Sequence, residues 1–161
     1  MQNIDLICIG KLNMPFYAAG VAEYQKRLAA FCNFRIVELP EATVDERHAG
    51  DVQIARALDK EAKAIFGSLR KGEYLAALCI EGKQISSEEL AKMIADRAMS
   101  GSGDMAFGIG PSHGLADSVK RAAQARISMG RITMPHQMAR LVLTEQLYRA
   151  FSINAGMKYH K

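Results

Sequence analysis

The sequence predicts an α/β fold: one domain in which a mainly parallel sheet is covered by helices on both faces. Three observations predict it. Runs such as Ile4–Ile9 (IDLICI) and Tyr74–Ile80 (YLAALCI) are almost continuously apolar, as strands buried on both faces are. Segments with helical apolar spacing separate these runs, so strands and helices alternate along the chain. No linker, repeat or charge block divides the 161 residues, a length that suits a single domain over 1–161.

Ile4–Ile9 reads as the first strand and stops at Gly10. Met14–Phe31 follows as a helix, with Pro15 in its first turn and Tyr17, Val21, Tyr24, Leu28 and Phe31 on one face. Phe34–Leu39 is a second strand closed by Pro40, and Glu41–Gly50 a polar loop holding His48, read as solvated. Asp51 is placed to cap a helix whose Ile54, Leu58, Ala62 and Ile65 share a stripe up to Gly67. Tyr74–Ile80 is the third strand. Ser86 and Glu89 form a capping box for a helix containing Leu90, Met93 and Ile94. Met105–Ile109 is a fourth strand, Leu115–Gln124 a short helix and Ala125–Ser128 a weak strand, for five or six strands in all. Met138–Ile153 is the last helix. Its Met138, Leu141, Val142, Leu143, Leu147, Tyr148, Phe151 and Ile153 occupy nearly every side. A helix apolar all round must be buried all round. Two covers are open: a second copy of the chain, with Leu143, Leu147 or Phe151 in the interface, or the closing residues of the same chain.

The composition, 49% hydrophobic and 24% charged, excludes a disordered or collagenous chain. No apolar run has the ~18 residues of a membrane span. The first residues lack the basic start of a signal peptide, so a cytoplasmic protein is expected. Cys8, Cys32 and Cys79 have no metal-ligand spacing and read as buried free thiols in a reducing compartment. The charge is uneven: residues 1–119 carry a net −3 and residues 120–161 a net +7. That asymmetry fits a polyanionic partner such as nucleic acid, or a merely solvated basic face.

Three segments gather the remaining chemistry. Phe107–Leu115 is a Gly-rich turn between a strand and a helix, a place where a ligand can approach the backbone. Its Gly108, Gly110 and Gly114 miss the dinucleotide spacing by one residue, and no phosphate-loop Gly-Lys-Ser/Thr follows. Met129–His136 combines glycine and proline before the last helix. Lys158–Lys161 closes the chain with Tyr159 and His160. Three of the four histidines, His113, His136 and His160, fall in these segments. No serine triad, carboxylate pair or metal cluster is present in the pattern.

Taken together, Leu78–Lys83 (LCIEGK), Ile109–Leu115 (IGPSHGL), Thr133–Arg140 (TMPHQMAR), Glu145–Phe151 (EQLYRAF) and the closing Tyr159-His160-Lys161 resemble the ribosomal RNA large subunit methyltransferase H family along the whole chain. The resemblance implies a SPOUT-class enzyme: a homodimer with a trefoil knot in its C-terminal part. It implies methyl transfer from S-adenosylmethionine to N3 of a pseudouridine in the helix 69 loop of 23S rRNA, on the assembled ribosome. It carries cofactor contacts onto Leu78, Gly110, Met129, Gly130, Arg131, Ile132, Thr133 and Met134, and sets Tyr159 and His160 beside that pocket. One position departs from the family, which usually has a second glycine where this chain has Pro111. Proline there removes one N–H donor.

The implied reaction needs no metal, because the sulfonium is the electrophile. It needs in-line placement and a base for the N3 proton. His160 is the leading candidate, as a residue type that changes charge near neutral pH, with His136 as rival. Tyr159 offers a ring for stacking on a base. Arg140 and Arg149 are candidates to hold phosphate or stabilise the developing negative charge, although Arg149 is equally placed for an ion pair with Glu145 four residues earlier. The rival function is a ribosome-associated binding factor of the same fold without catalysis.

Overall fold

A computed structural model describes residues 1–42, 47 and 50–161; His48 and most of its loop lie outside the described residues. Ten elements alternate: β1 (Asn3–Ile9), α1 (Pro15–Leu28), β2 (Asn33–Leu39), α2 (Asp51–Ser68), β3 (Tyr74–Gln84), α3 (Ser87–Ala98), β4 (Met105–Ile109), α4 (Asp117–Ala122), β5 (Ala125–Ser128) and α5 (His136–Asn154). The five strands form one parallel sheet in the order β2-β1-β4-β3-β5.

Side chains alternate across each strand, and this alternation divides the core. Ile4, Leu6 and Cys8 of β1 pack with residues of α1, α3 and α5, whereas Ile7 and Ile9 pack with α2 and α4. The helices therefore cover both faces, as the continuous apolar strands require. Cys8 and Cys32 are buried, and burial pushes both thiols up to about 12. Cys79 departs from the expectation: it is only half-buried.

The last helix corrects a second expectation. α5 lies between α1 and α3 on the sheet, and Leu143, Leu147 and Phe151 are 1%, 0% and 9% exposed within a single chain. They cannot form a surface for a partner. Its own neighbours cover α5 on three sides, which accounts for most of its apolar circumference. Gly20 makes the α1 approach possible, since a Cβ there would come within 2.8 Å of the Leu141 side chain. Of its large apolar side chains only Met138 remains exposed, with Leu141, Val142 and Ile153 partly so.

Two local readings also change. The α2 cap is Gly50, not Asp51, and the Gln53 side chain accepts a bond from the Gly50 N–H at 3.1 Å. β3 runs four residues past Ile80, because Ile127 of β5 pairs with both Leu78 and Lys83 and the residues between bulge out. Gly82 permits that crossing: a Cβ would lie 2.8 Å from the Arg126 and Ile127 backbone. The capping box holds, with the Glu89 N–H donating to Ser86 Oγ at 3.1 Å and the Ser86 N–H to Glu89 Oε2 at 2.7 Å.

Candidate functional site

Parallel strands leave their carboxyl ends on one edge, where the following loops can enclose a ligand. A cavity of about 800 Å³ lies at that edge. The β3 bulge supplies Leu78, Cys79, Ile80 and Glu81, the turn after β4 supplies Ile109 to Leu115, and the loop after β5 supplies Ser128 to Pro135 except Arg131. His136 and Ala139 of α5 close it. Leu78, Gly110, Met129, Gly130, Ile132, Thr133 and Met134 thus come together, from three stretches far apart in sequence. Arg131 is exposed and outside the lining.

The glycines shape these loops from within. A Cβ on Gly110 would lie 2.6 Å from the Gly114 carbonyl carbon and 2.7 Å from the Leu115 nitrogen. Gly110 is therefore demanded by the turn's own closure, whatever meets it from the cavity. The Gly114 N–H donates to the Pro111 carbonyl at 2.8 Å, and Gly114 has φ +75°. Pro111 fits this turn because its carbonyl, and not its missing N–H, closes it. Across the cavity, Gly130 has φ +121°, and Ser128 Oγ bonds both its carbonyl (3.0 Å) and its N–H (3.2 Å).

Arg140 departs from the role expected of it. It is 2% exposed, donates to Glu38 Oε2 at 2.6 Å and to the Gly10 carbonyl at 3.0 Å, and does not line the cavity. Next to it, Gln137 Oε1 accepts from the Asn13 and Met14 N–H groups at 3.1 and 3.2 Å, satisfying the uncapped start of α1. Arg140 and Gln137 thus clamp the first turn of α5, and with it the cavity wall, to the β1–α1 loop.

The closing residues dock at the far end of α5. Tyr159 O–H donates to Glu145 Oε1 at 2.9 Å, with its ring edge-on to Tyr148 and the Arg149 guanidinium 4.7 Å from its centroid. Burial, with hydrogen bonds to Tyr24 and Glu145, raises the Tyr159 phenol above its ordinary range. His160 Nε2 is 2.8 Å from Glu88 Oε1, and Nδ1 is 3.3 Å from Arg149 Nη1. A guanidinium only donates, so Nδ1 accepts and Nε2 carries the hydrogen offered to Glu88. Arg149 also pairs with Glu145 at 2.7 Å, the structural alternative its spacing allowed. Arg149 follows His136 by thirteen residues, about 20 Å along a helix. Tyr159, bonded to Glu145, docks at least six residues past Ala139, and in one chain neither it nor His160 lines the cavity.

Sequence reasoning missed the Lys120 Nζ to Glu81 Oε1 pair, 2.5 Å long at the cavity wall. That bond holds the Glu81 carboxyl below its usual range and the Lys120 ammonium above its own. Glu81 stood inside a quoted motif, but nothing in the pattern joined it to a lysine 39 residues away.

The family model described as "Predicted SPOUT methyltransferase" matches residues 2–160. A protein of Streptococcus uberis named "Ribosomal RNA large subunit methyltransferase H" is 46% identical over 160 residues, covering 99% of this chain and all of its own. The chain belongs to the ribosomal RNA large subunit methyltransferase H family, within the SPOUT methyltransferases. A Clostridioides difficile protein of that family is 42% identical, again with 99% and 100% covered. Among solved structures, a probable methyltransferase of Bordetella pertussis has a similar fold, with a TM-score of 0.59 at 15% identity, over 92% of this chain and 93% of that one. A probable methylase family protein of Haemophilus influenzae aligns at 0.51 and 14% identity, over 99% of this chain and 70% of the other.

Proposed function

We propose that this protein transfers a methyl group from S-adenosylmethionine to N3 of a pseudouridine in the helix 69 loop of 23S rRNA, in the cytoplasm, on the assembled ribosome and as a homodimer. The observation that carries the reading is the single cavity formed by the three loops to which the family resemblance assigns cofactor contacts. Its volume suits a nucleoside-sized ligand. Leu78, Ile109, Leu115 and Met134 offer apolar surface for a purine, and the backbone of the 110–115 and 128–134 loops offers hydrogen bonds. S-adenosylmethionine supplies an electrophilic methyl on a sulfonium. The residues of the chain orient the two reactants, exclude water and remove one proton from N3 as the N–C bond forms. The net +7 of residues 120–161 gives the surface its attraction for rRNA. The trefoil knot belongs to the same reading, as the family resemblance implies.

The separation of the tail from the cavity gives the dimer a purpose. A chain whose Tyr159 and His160 sit at one end of α5 and whose cavity sits at the other completes a site only with a second copy. The apolar side chains left exposed or partly exposed at this end, Met14 and Phe16 of the α1 start with Met138, Leu141 and Val142 of α5, are the surface on which that copy docks. Arg131, outside the lining of its own cavity, faces solvent beside it.

Methylation of large subunits or 70S ribosomes, read by mass spectrometry of the rRNA, tests the activity: one methyl on a helix 69 pseudouridine is expected, and none would reject it. Complementation tests the shared site. A variant lacking residues 159–161 and a Gly110→Val variant are each expected to be inactive. Mixed and re-equilibrated, they recover about a quarter of the parent rate, because half the dimers then contain one intact composite site. No recovery from folded, exchanging dimers would show that each chain uses its own tail.

A further inference from the structure

A second cavity, of about 900 Å³, runs between α3 and the outer edge of β5, over Tyr74 and Ile85. We infer that this groove carries a ribose-phosphate segment flanking the methylated nucleotide, with Lys83 and Arg126 as its phosphate contacts. The inference rests on the RNA-methylating reading above and extends it to a surface that no cofactor contact uses.

Position is the first argument. Glu81 lines both cavities, so a strand whose target base enters the first continues directly into the second. The β3 bulge turns Lys83 into the groove by pairing it with Ile127, next to Arg126. Along its other wall, α3 contributes Glu89 to Arg97, a length of about 12 Å, enough for more than one nucleotide.

Charge is the second. The walls carry Lys83, Lys92, Arg97 and Arg126 against Glu81, Glu89 and Asp96. Every one of these carboxylates is already engaged: Glu81 by Lys120 at 2.5 Å, Asp96 by Lys92 at 2.5 Å, and Glu89 by the Ser86 N–H at 2.7 Å. Arg97 is committed to the Gly72 carbonyl at 2.7 Å. Lys83 is exposed and has no acidic partner among the described residues. Arg126 donates through Nη1 to the Lys120 carbonyl at 2.9 Å, which leaves most of its five donors free. The uncommitted positive charge of the groove is thus concentrated on two adjacent side chains at the end nearest the first cavity.

The groove suits backbone and not bases. Its one aromatic ring, Tyr74, is half-buried and lies under the Arg97 guanidinium, 5.6 Å from the ring centroid, so no ring is left open for base stacking. Nor does β5 invite an added peptide strand. It has four residues, and a short edge is a poor template for strand pairing.

The test compares parent, Lys83→Gln, and Lys83→Gln/Arg126→Gln for binding to 70S ribosomes across a salt series, with calorimetry of S-adenosylmethionine as a second readout. The parent establishes ribosome binding and methyl transfer first; its failure there rejects the underlying reading and not the groove alone. With the parent active, the double variant is expected to bind ribosomes about tenfold more weakly, and its slope of log affinity against log salt to be shallower by about 1.5. Cofactor affinity is expected to be unchanged. The Lys83 side chain has no acidic partner among the described residues, so the single variant keeps the test independent of folding, and a slope change near half as large is expected of it. An unchanged slope in both variants overturns the inference. So does an equal loss from Lys60→Gln on α2, which would mean that any surface charge serves.

Discussion

The two ends of α5 are built on different principles. At its start, Pro135, His136 and Ala139 face a cavity whose other walls are the β3 bulge and two loops shaped by Gly110, Gly114 and Gly130. At its far end, Glu145, Arg149, Tyr148 and the docked Tyr159 and His160 form a network of side chains. Backbone loops present many donors and acceptors to a small ligand and tolerate few substitutions. A side-chain network at the surface is held by exchangeable bonds and can re-form elsewhere. One helix thus joins a cavity shaped by glycine loops to a surface network of side-chain bonds. Both ring nitrogens of His160 are occupied in the docked state, so the proposed role of His160 as base would require the tail to leave these partners.

The largest expected effect tests that division directly. Removing residues 159–161, or changing His160→Ala, is expected to slow single-turnover methylation of saturating ribosomes by about 10²-fold or more, with cofactor affinity unchanged. A full chemical rate with weakened ribosome binding would make the far end a docking element only. At the other end, Arg140→Met is expected to cost about 2–3 kcal/mol of stability. This is the low side of breaking a buried pair, because its partner Glu38 is 40% exposed. Thermal unfolding is expected to show a drop in Tm of about 5–10 °C; an unchanged Tm would free Arg140 from the clamp. Gly110→Ala is smaller again. Its Cβ meets backbone at 2.6 Å, so the turn must shift, and calorimetry is expected to show about tenfold weaker S-adenosylmethionine binding, about 1.4 kcal/mol. Equal binding would place the ligand away from this turn.

The smallest effect is a pH dependence. The hydrogen bond from Arg140 holds the Glu38 carboxyl below its ordinary range. A carboxyl depressed in the folded state contributes stability that is present above its unfolded value and lost as pH falls through the folded one. The stability gap between the parent and Glu38→Gln is therefore expected to close as pH is lowered from about 5 to about 3. A gap that stays constant over that range would show that Glu38 acts by shape and not by charge.

The strands and most helix boundaries were legible because they depend on local order: apolar runs, Pro15 in the first turn of α1, the Ser86–Glu89 box. β3 was read too short because its last residues are polar, and their pairing depends on Ile127, which reaches across from β5. The three cavity-lining segments were legible as motifs. Their convergence on one cavity followed from the parallel sheet that the same pattern predicts.

What the sequence by itself determined is the alternation of strands and helices, the basic final quarter and the identity of the glycine loops. Each of these is a property of neighbouring residues or of a sum over them. Tertiary structure alone decided what covers α5, because an all-round apolar helix looks the same whether α1 and α3 or a second copy surrounds it. It also decided that Arg140 is a clamp, that Gly110 serves its own turn, and that the tail docks on α5 six to thirteen residues beyond its cavity-lining turn, about 9–20 Å along the helix. These are distances between residues remote in the chain, and a linear pattern of residue types holds no measure of them.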